Sequence, residues 1–449
     1  MRSVSPRALV CGGAGLALLA VSLLPVLVLP LGTTAAKVWI YLLFLVPALL
    51  ALLVLKKQGR SHLFTALLPV GLAFFFRALM LHYVSSDYEI FLSQWVQTLR
   101  ANGGFWAIRL PIGNYNAPYL YFLAAISYLP IPDLYLIKLF SILFDVVLAW
   151  GGMRLVKHFT ANSRTPLACF CILLLLPTVM LNGAYWGQCD SLYSGLVLHA
   201  IACALQRRGS ASAVLLGLAF SFKLQTVFIL PLWAAFWLTG RIKFRHLFLF
   251  PAAYALTCVP ALLLGKPLAD ILSVYVGQTK EGAGSLNYNS ASIYSFLPYG
   301  VQVNESVYAR AGIIAAFLLV LILLVVLLCC RKRISDTALL TAGFILAAGV
   351  PFLLPYMHDR YFFLADVLAV AVACAFPDRF PPAVLVQVSS LSAYLIYFRQ
   401  RYTLVLNLGG KTYTMLVESL LILAVLVYAW CLLFLDLRPG AKKRRGSSS

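Results

Sequence analysis

The stretch HLFTALLPVGLAFFFRALMLHYVSSDYE, residues 62–89, decides how the chain is read. Its first part, His62 to Tyr83, is an apolar run of about twenty residues, enough to cross a hydrocarbon layer roughly 30 Å thick. Its second part, Ser85–Ser86–Asp87–Tyr88–Glu89, opens a segment too polar to re-enter that layer. Acidic residues number only 14 among 449. A pair of them at a membrane boundary is a functional candidate.

Runs like His62–Tyr83 recur along the whole chain, which is 62% hydrophobic and 11% charged. That composition excludes a soluble domain and specifies an all-α polytopic membrane protein. The short alternating segments of a β-barrel are absent. The first run follows Arg2 and Arg7 and shows no small-residue cleavage site, so it reads as a retained helix rather than a signal peptide. The ten cysteines fall mostly inside apolar runs and lack metal-ligand spacing. A net charge of +21 raises nucleic acid as a partner. The basic residues are dispersed in clusters between helices, however, as the positive-inside rule requires, and nucleic-acid binding is set aside.

Those clusters assign the sides. Arg2, Arg7 and Lys56–Lys57–Gln58–Gly59–Arg60 lie in the cytoplasm, so His62–Tyr83 exits on the far side. Residues 84–133 form a first outer loop carrying an interfacial helix, with Tyr88, Leu92, Trp95 and Leu99 on one face. Tyr119–Leu129 is too short to cross and stays in that loop. Spans follow at 134–153, 165–182 and up to Gln206–Arg207–Arg208. Residues 211–239 have cytoplasmic charges at both ends but are too short for two full spans. Two half-helices meeting near Lys223 satisfy both constraints. After 247–264 comes a second outer segment, 265–308, then spans at 309–330, 337–355, 361–376, 381–397 and 413–435. The expectation is about thirteen spans, both termini cytoplasmic, in what is read as a bacterial plasma membrane. Three parts are expected: an N-terminal hairpin (1–61), a core with two outer loops (62–308), and a C-terminal bundle with a basic tail (309–449).

This topology gathers four polar motifs on one side: SSDYE, WGQCD, the Lys223 apex and HDRY. Each has a plainer reading. Ser86 with Glu89 is the spacing of a capping box, which leaves Asp87 unexplained. Asp190 either starts a helix or lines a sugar site with Trp186 and Gln188, the indole stacking on the pyranose and the amide bridging hydroxyls. Lys223, with Gln225 beside it, needs compensation inside the membrane from either a carboxylate or a phosphate. His358, Asp359 and Arg360 form a surface ion pair or an anion site. Metal binding by His358 and Asp359 is a third option, but two adjacent ligands do not make a site, so no cofactor is indicated, a divalent metal included.

The segments DYEIFLSQW, NYNAPYLYFL, KLFSILFDVVLAW, LLLPTVMLNGAYWGQCDSLYSGL, LAFSFKLQTVFILP, LNYNSASIYSFL and MHDRYFFLAD occur in this order over residues 62–370. Together they resemble membrane glycosyltransferases of the GT-C superfamily. The likeness is to lipid-phosphate-glucose-dependent glucosyltransferases of the asparagine-linked glycan pathway, and to bacterial proteins related to the second mannosyltransferase of GPI synthesis. The resemblance implies a GT-C fold, a polyprenyl-phosphate-linked hexose as donor, and a lipid-linked or surface glycan as acceptor. It implies Asp87 as catalytic base, and Lys223, Arg360 and His358 at the donor phosphate. Glu89, Asn116, Trp186, Gln188, Asp190, Gln225 and Asp359 would line the sugar and acceptor. Lys223–Leu224–Gln225 stands where the family has Lys-Gln, His358–Asp359–Arg360 where it has His-Glu-Arg, and YWGQCD where the glucosyltransferases have HFQYN.

The rival is a transporter or lipid-linked sugar flippase, kept open by two intramembrane carboxylates, Asp145 and Asp366. Their plain reading is a core polar group paired with a tyrosine, a lysine or backbone. A polymerase or ligase of surface polysaccharide is a third option. No internal repeat is visible, which counts against a transporter built from duplicated halves.

Overall fold

The computed structural model describes residues 5–22, 24–29, 33–281 and 284–438. Arg2, Pro30 and the tail Lys442–Lys443–Arg444–Arg445 lie outside them. Among the described residues nine helices are long and apolar enough to cross a membrane. The bent pair Arg164–Leu175 and Pro177–Trp186 makes a tenth if read as one span. The chain is an all-α polytopic membrane protein, but for a two-residue parallel bridge and one β-hairpin. Long apolar runs fold where expected: 62–83 is the helix Arg60–Met80, 134–153 is Asp133–Lys157, and 381–397 is Pro381–Arg399.

The described residues divide into two compact units. One holds the chain up to His199 with Val214–Lys223 and Pro251–Tyr275. The other holds Ala200–Ala213, Leu224–Phe250 and the chain from Val276 on. The segment 62–308 thus contributes to both.

In the first unit Ser5 caps the helix Pro6–Val21, its Oγ accepting the Ala8 N–H at 3.3 Å. This helix lies against Arg60–Met80 with glycine on both sides of the contact. A Cβ on Gly15 would stand 2.2 Å from the Leu67 carbonyl carbon, and one on Gly71 would stand 2.5 Å from the Gly15 oxygen. Lipid tails are as apolar as leucine, so helices in a bilayer associate through such close backbone approach. The helix Asp133–Lys157 has 72% of its apolar window buried. It carries Asp145, fully buried, which accepts Arg77 Nε–H at 2.9 Å on Oδ2 and the Ser191 hydroxyl at 2.5 Å on Oδ1. Its partner is therefore an arginine from the run read as purely apolar, not a tyrosine or lysine.

Pro177 forces Leu176 into an extended conformation, with ψ 123°, and the two halves of this span meet at 48°. The second half ends in a π-helical turn, Leu181–Trp186, released by Gly187 at φ 82°.

In the second unit Asp336–Leu353 is apolar on every face and has 83% of its window buried, as the central helix of a bundle should. Glu305–Cys329, packed against it, has 22% buried and turns Phe317 and Leu321 outward. Phe363–Ala375 and Pro381–Arg399 form an antiparallel pair joined by a short turn. Beyond them Val405–Leu408 pairs antiparallel with Lys411–Thr414 across Gly409 and Gly410, at φ 55° and 73°. Positive φ at both central residues is what a two-residue hairpin turn demands. The last span therefore begins at Leu416 rather than 413.

Candidate active site

The polar stretch that follows Arg60–Met80 is tied down from below. Lys138, fully buried, donates from Nζ to the carbonyls of Met80 (2.9 Å), Leu81 (3.1 Å) and Tyr83 (2.6 Å). They lie at and just past the C-terminal end of the helix, where a lysine is suited to the negative end of the dipole. Ser85 then donates its hydroxyl to the Trp186 carbonyl at 2.7 Å and accepts the Tyr88 N–H at 3.3 Å. Ser85 thus supplies the hydroxyl over the Tyr88 N–H, and in doing so joins SSDYE to WGQCD.

Asp87 precedes a second π-helical turn, Tyr88–Leu92, that runs on into the helix Ser93–Ala101. Leu92 and Leu99 of the expected apolar face are buried, Tyr88 and Trp95 only half-buried, and Val96 is buried beside them, while Glu89, Gln97 and Arg100 are exposed. The Asp87 carboxylate is half-buried. Its Oδ2 accepts the Trp186 indole N–H at 3.0 Å and a Gln188 amide N–H at 2.6 Å. One carboxylate thus sits beside two π turns, a rare geometry that collects at functional sites. Next to it Tyr88 donates its hydroxyl to Asp133 at 3.2 Å. Burial, with the Asp133 charge beside it, pushes this phenol up to about 12, so it stays a neutral donor at neutral pH.

Gln188 Oε1 accepts the Tyr115 hydroxyl at 3.4 Å, and the Tyr115 ring has Lys223 Nζ 5.9 Å from its centre. Lys223 donates to Asp190 Oδ1 at 2.5 Å. Asp190 Oδ2 accepts from the Asn182 amide at 2.7 Å. The chain leaves helical geometry at Lys223, between Gly209–Phe222 and the 3-10 turn Leu224–Ile229, so the expected break is there. Of the two compensations left open for Lys223, the structure shows the carboxylate, that of Asp190.

Several expected sugar-lining residues have other work. Trp186 is 0% exposed, so its ring has no face for a pyranose; its N–H holds Asp87 instead. Asn116 is buried, accepts the Ala117 N–H at 2.7 Å as a helix cap and donates to Tyr254 at 3.0 Å. Gln188 and Asp190 are buried in the pairings above, and Glu89 is exposed on the first turn. Half-buried tyrosines also stand among these elements: Tyr115, bonded to Gln188, and Tyr83, stacked on Tyr185 at 3.7 Å. Sequence reasoning missed Ser85, Tyr115, Lys138 and Asn182 as site-builders. Tyr115 was signalled only by its place in NYNAPY.

The remaining candidates belong to the second unit. Asn287–Tyr288 pairs in parallel with Met357–His358, and the Tyr288 ring stacks on His358 at 4.9 Å, 12° from coplanar. Arg360 Nη1 is 3.9 Å from Asp359 Oδ1, an ion pair too long to be a hydrogen bond. Gln225 is buried in the turn Leu224–Ile229, whose Phe228 ring lies 6.2 Å from that of Tyr361. Among the described residues no three His, Cys, Asp or Glu side chains are grouped to hold a metal ion. No protein-family model matches the chain, and comparison with curated proteins returns no match.

Proposed function

We propose that this protein is a GT-C-type glycosyltransferase. In this reading it moves mannose or glucose from a polyprenyl-phosphate donor to an acceptor hydroxyl on the extracytoplasmic face, with inversion and with Asp87 as general base. The observation that carries the reading is the Asp87 carboxylate. Two buried donors fix it through one oxygen, yet the residue stays half-exposed. A base held before the substrate arrives pays no reorganisation at the moment of proton transfer. The departing phosphodiester becomes a phosphate monoester, stable without a strong acid, so cations at the leaving group matter more than a proton donor. The family resemblance assigns that role to His358 and Arg360, and we assign the sugar to the tyrosine faces at 83, 115 and 185.

Our reading of thirteen membrane segments adds three to the ten candidate spans: the shorter apolar helices Asp190–Leu205 and Phe363–Ala375, and the half-helix pair broken at Lys223. Ala117–Ser127 stays in the outer loop. Asp145 no longer favours a transporter, since Arg77 and Ser191 take up both of its oxygens.

The test is incubation of reconstituted protein with radiolabelled polyprenyl-phosphate-mannose and -glucose plus lipid-linked acceptors. Transfer or hydrolysis of one donor, lost in Asp87→Asn, supports the reading. Both donors intact, with labelled lipid crossing the bilayer, overturns it in favour of a flippase.

A further inference from the structure

Two arginines share a cavity at one end of the C-terminal bundle. A cavity of about 530 Å³ is lined by Arg399, Arg401, Tyr402 and Thr403, within the volume range of pockets that take small molecules. The local fold explains why the arginines share it. The helix Pro381–Arg399 ends at Gln400, whose left-handed conformation (φ 53°) reverses the chain. Arg401, Tyr402 and Thr403 are thereby carried round the same space as Arg399. The negative end of a helix dipole accounts for an arginine at 399. It does not account for Arg401, which lies beyond the helix. Neither arginine makes an ion pair or a hydrogen bond among the described residues, and no Asp or Glu occurs between Phe380 and Val417.

We propose that this pocket binds a phosphate group carried on a lipid. Two exposed guanidinium groups without carboxylates match the oxygens of a phosphate, which arginine's planar fork bonds two at a time. The lipid is indicated by what stands beside them. Val405 and Leu408 of the adjoining hairpin, and Tyr299, whose ring lies 6.1 Å from that of Tyr402, are all exposed. Apolar side chains flanking a cationic mouth fit the boundary between headgroups and acyl chains. The antiparallel pairing of Phe363–Ala375 with Pro381–Arg399 puts this pocket at the end of the bundle where His358–Tyr361 lies. The proposal does not rest on the transfer reaction, because binding is read without turnover.

The experiment measures saturable binding of tritiated farnesyl phosphate to the purified full-length protein. It compares the wild type, Arg399→Gln/Arg401→Gln, Arg399→Lys/Arg401→Lys and Arg360→Gln. The glutamine pair is expected to lose one bound phosphate per chain, or to bind it at least about tenfold more weakly, with an unchanged unfolding midpoint. The lysine pair is expected to lose less, and Arg360→Gln to keep this site. Farnesol should not compete. Unchanged stoichiometry and affinity in the glutamine pair overturns the site. Competition by inorganic phosphate as strong as by farnesyl phosphate overturns the lipid.

Discussion

The Lys223 ammonium lies 2.5 Å from Asp190 Oδ1, and the two side chains are 6% and 2% exposed. Each charge is the other's compensation, so removing one is expected to be worse than removing both. Lys223→Met should destabilise the protein by about 3–5 kcal/mol, and Lys223→Met/Asp190→Leu should recover most of that. Unfolding midpoints in detergent check this. Transfer activity should return with the fold if the pair is scaffold, and stay absent if Lys223 also touches the donor phosphate. The neutralised charge favours the first outcome.

Asp87→Asn keeps an oxygen to accept from Trp186 and Gln188, so the fold should survive. Transfer should fall by about 10²–10⁴-fold, the usual contribution of a general base, with donor KM little changed. Steady-state kinetics on the reconstituted variant measure it. A fall confined to KM would remove Asp87 from the chemistry.

Trp186→Phe separates two roles for that residue. A ring that stacked on sugar would keep most of its effect as phenylalanine. A ring whose N–H holds the base loses a hydrogen bond to a charged oxygen, worth about 1.5–3 kcal/mol. The structure favours the second, since the indole is wholly buried and 3.0 Å from Asp87. The expected result is kcat lower by about tenfold or more at constant KM.

The spans were legible because the length of an apolar run is a local property of the chain. The Lys223 break was legible for a related reason: charge at both ends of a stretch too short to cross twice. Gly409–Gly410 was a readable hairpin signal that the search for spans overran. What no local property carries is burial. Trp186 beside a carboxylate has the composition of a sugar platform, and only the packing round Leu181–Trp186 turns it inward. Arg77 and Asp145, 68 positions apart, carry no local sign that they meet. Their pairing follows instead from a global rule: opposite charges within spans have few other inexpensive solutions in lipid.

The contact between Pro6–Val21 and Arg60–Met80 offers the same chemical change with opposite outcomes. Gly13 has nothing within 4 Å of where a Cβ would stand. There alanine removes glycine's entropic penalty, and Gly13→Ala should be neutral or stabilising by up to about 1 kcal/mol. At Gly71 the added carbon meets the Gly15 carbonyl oxygen at 2.5 Å, a backbone atom that cannot swing aside. The helices must part, and every contact along the seam weakens, so Gly71→Ala should cost about 1–3 kcal/mol. Unfolding midpoints of the two variants, measured side by side in one detergent, decide it. Equal midpoints would mean that the seam is not held by backbone approach at glycine.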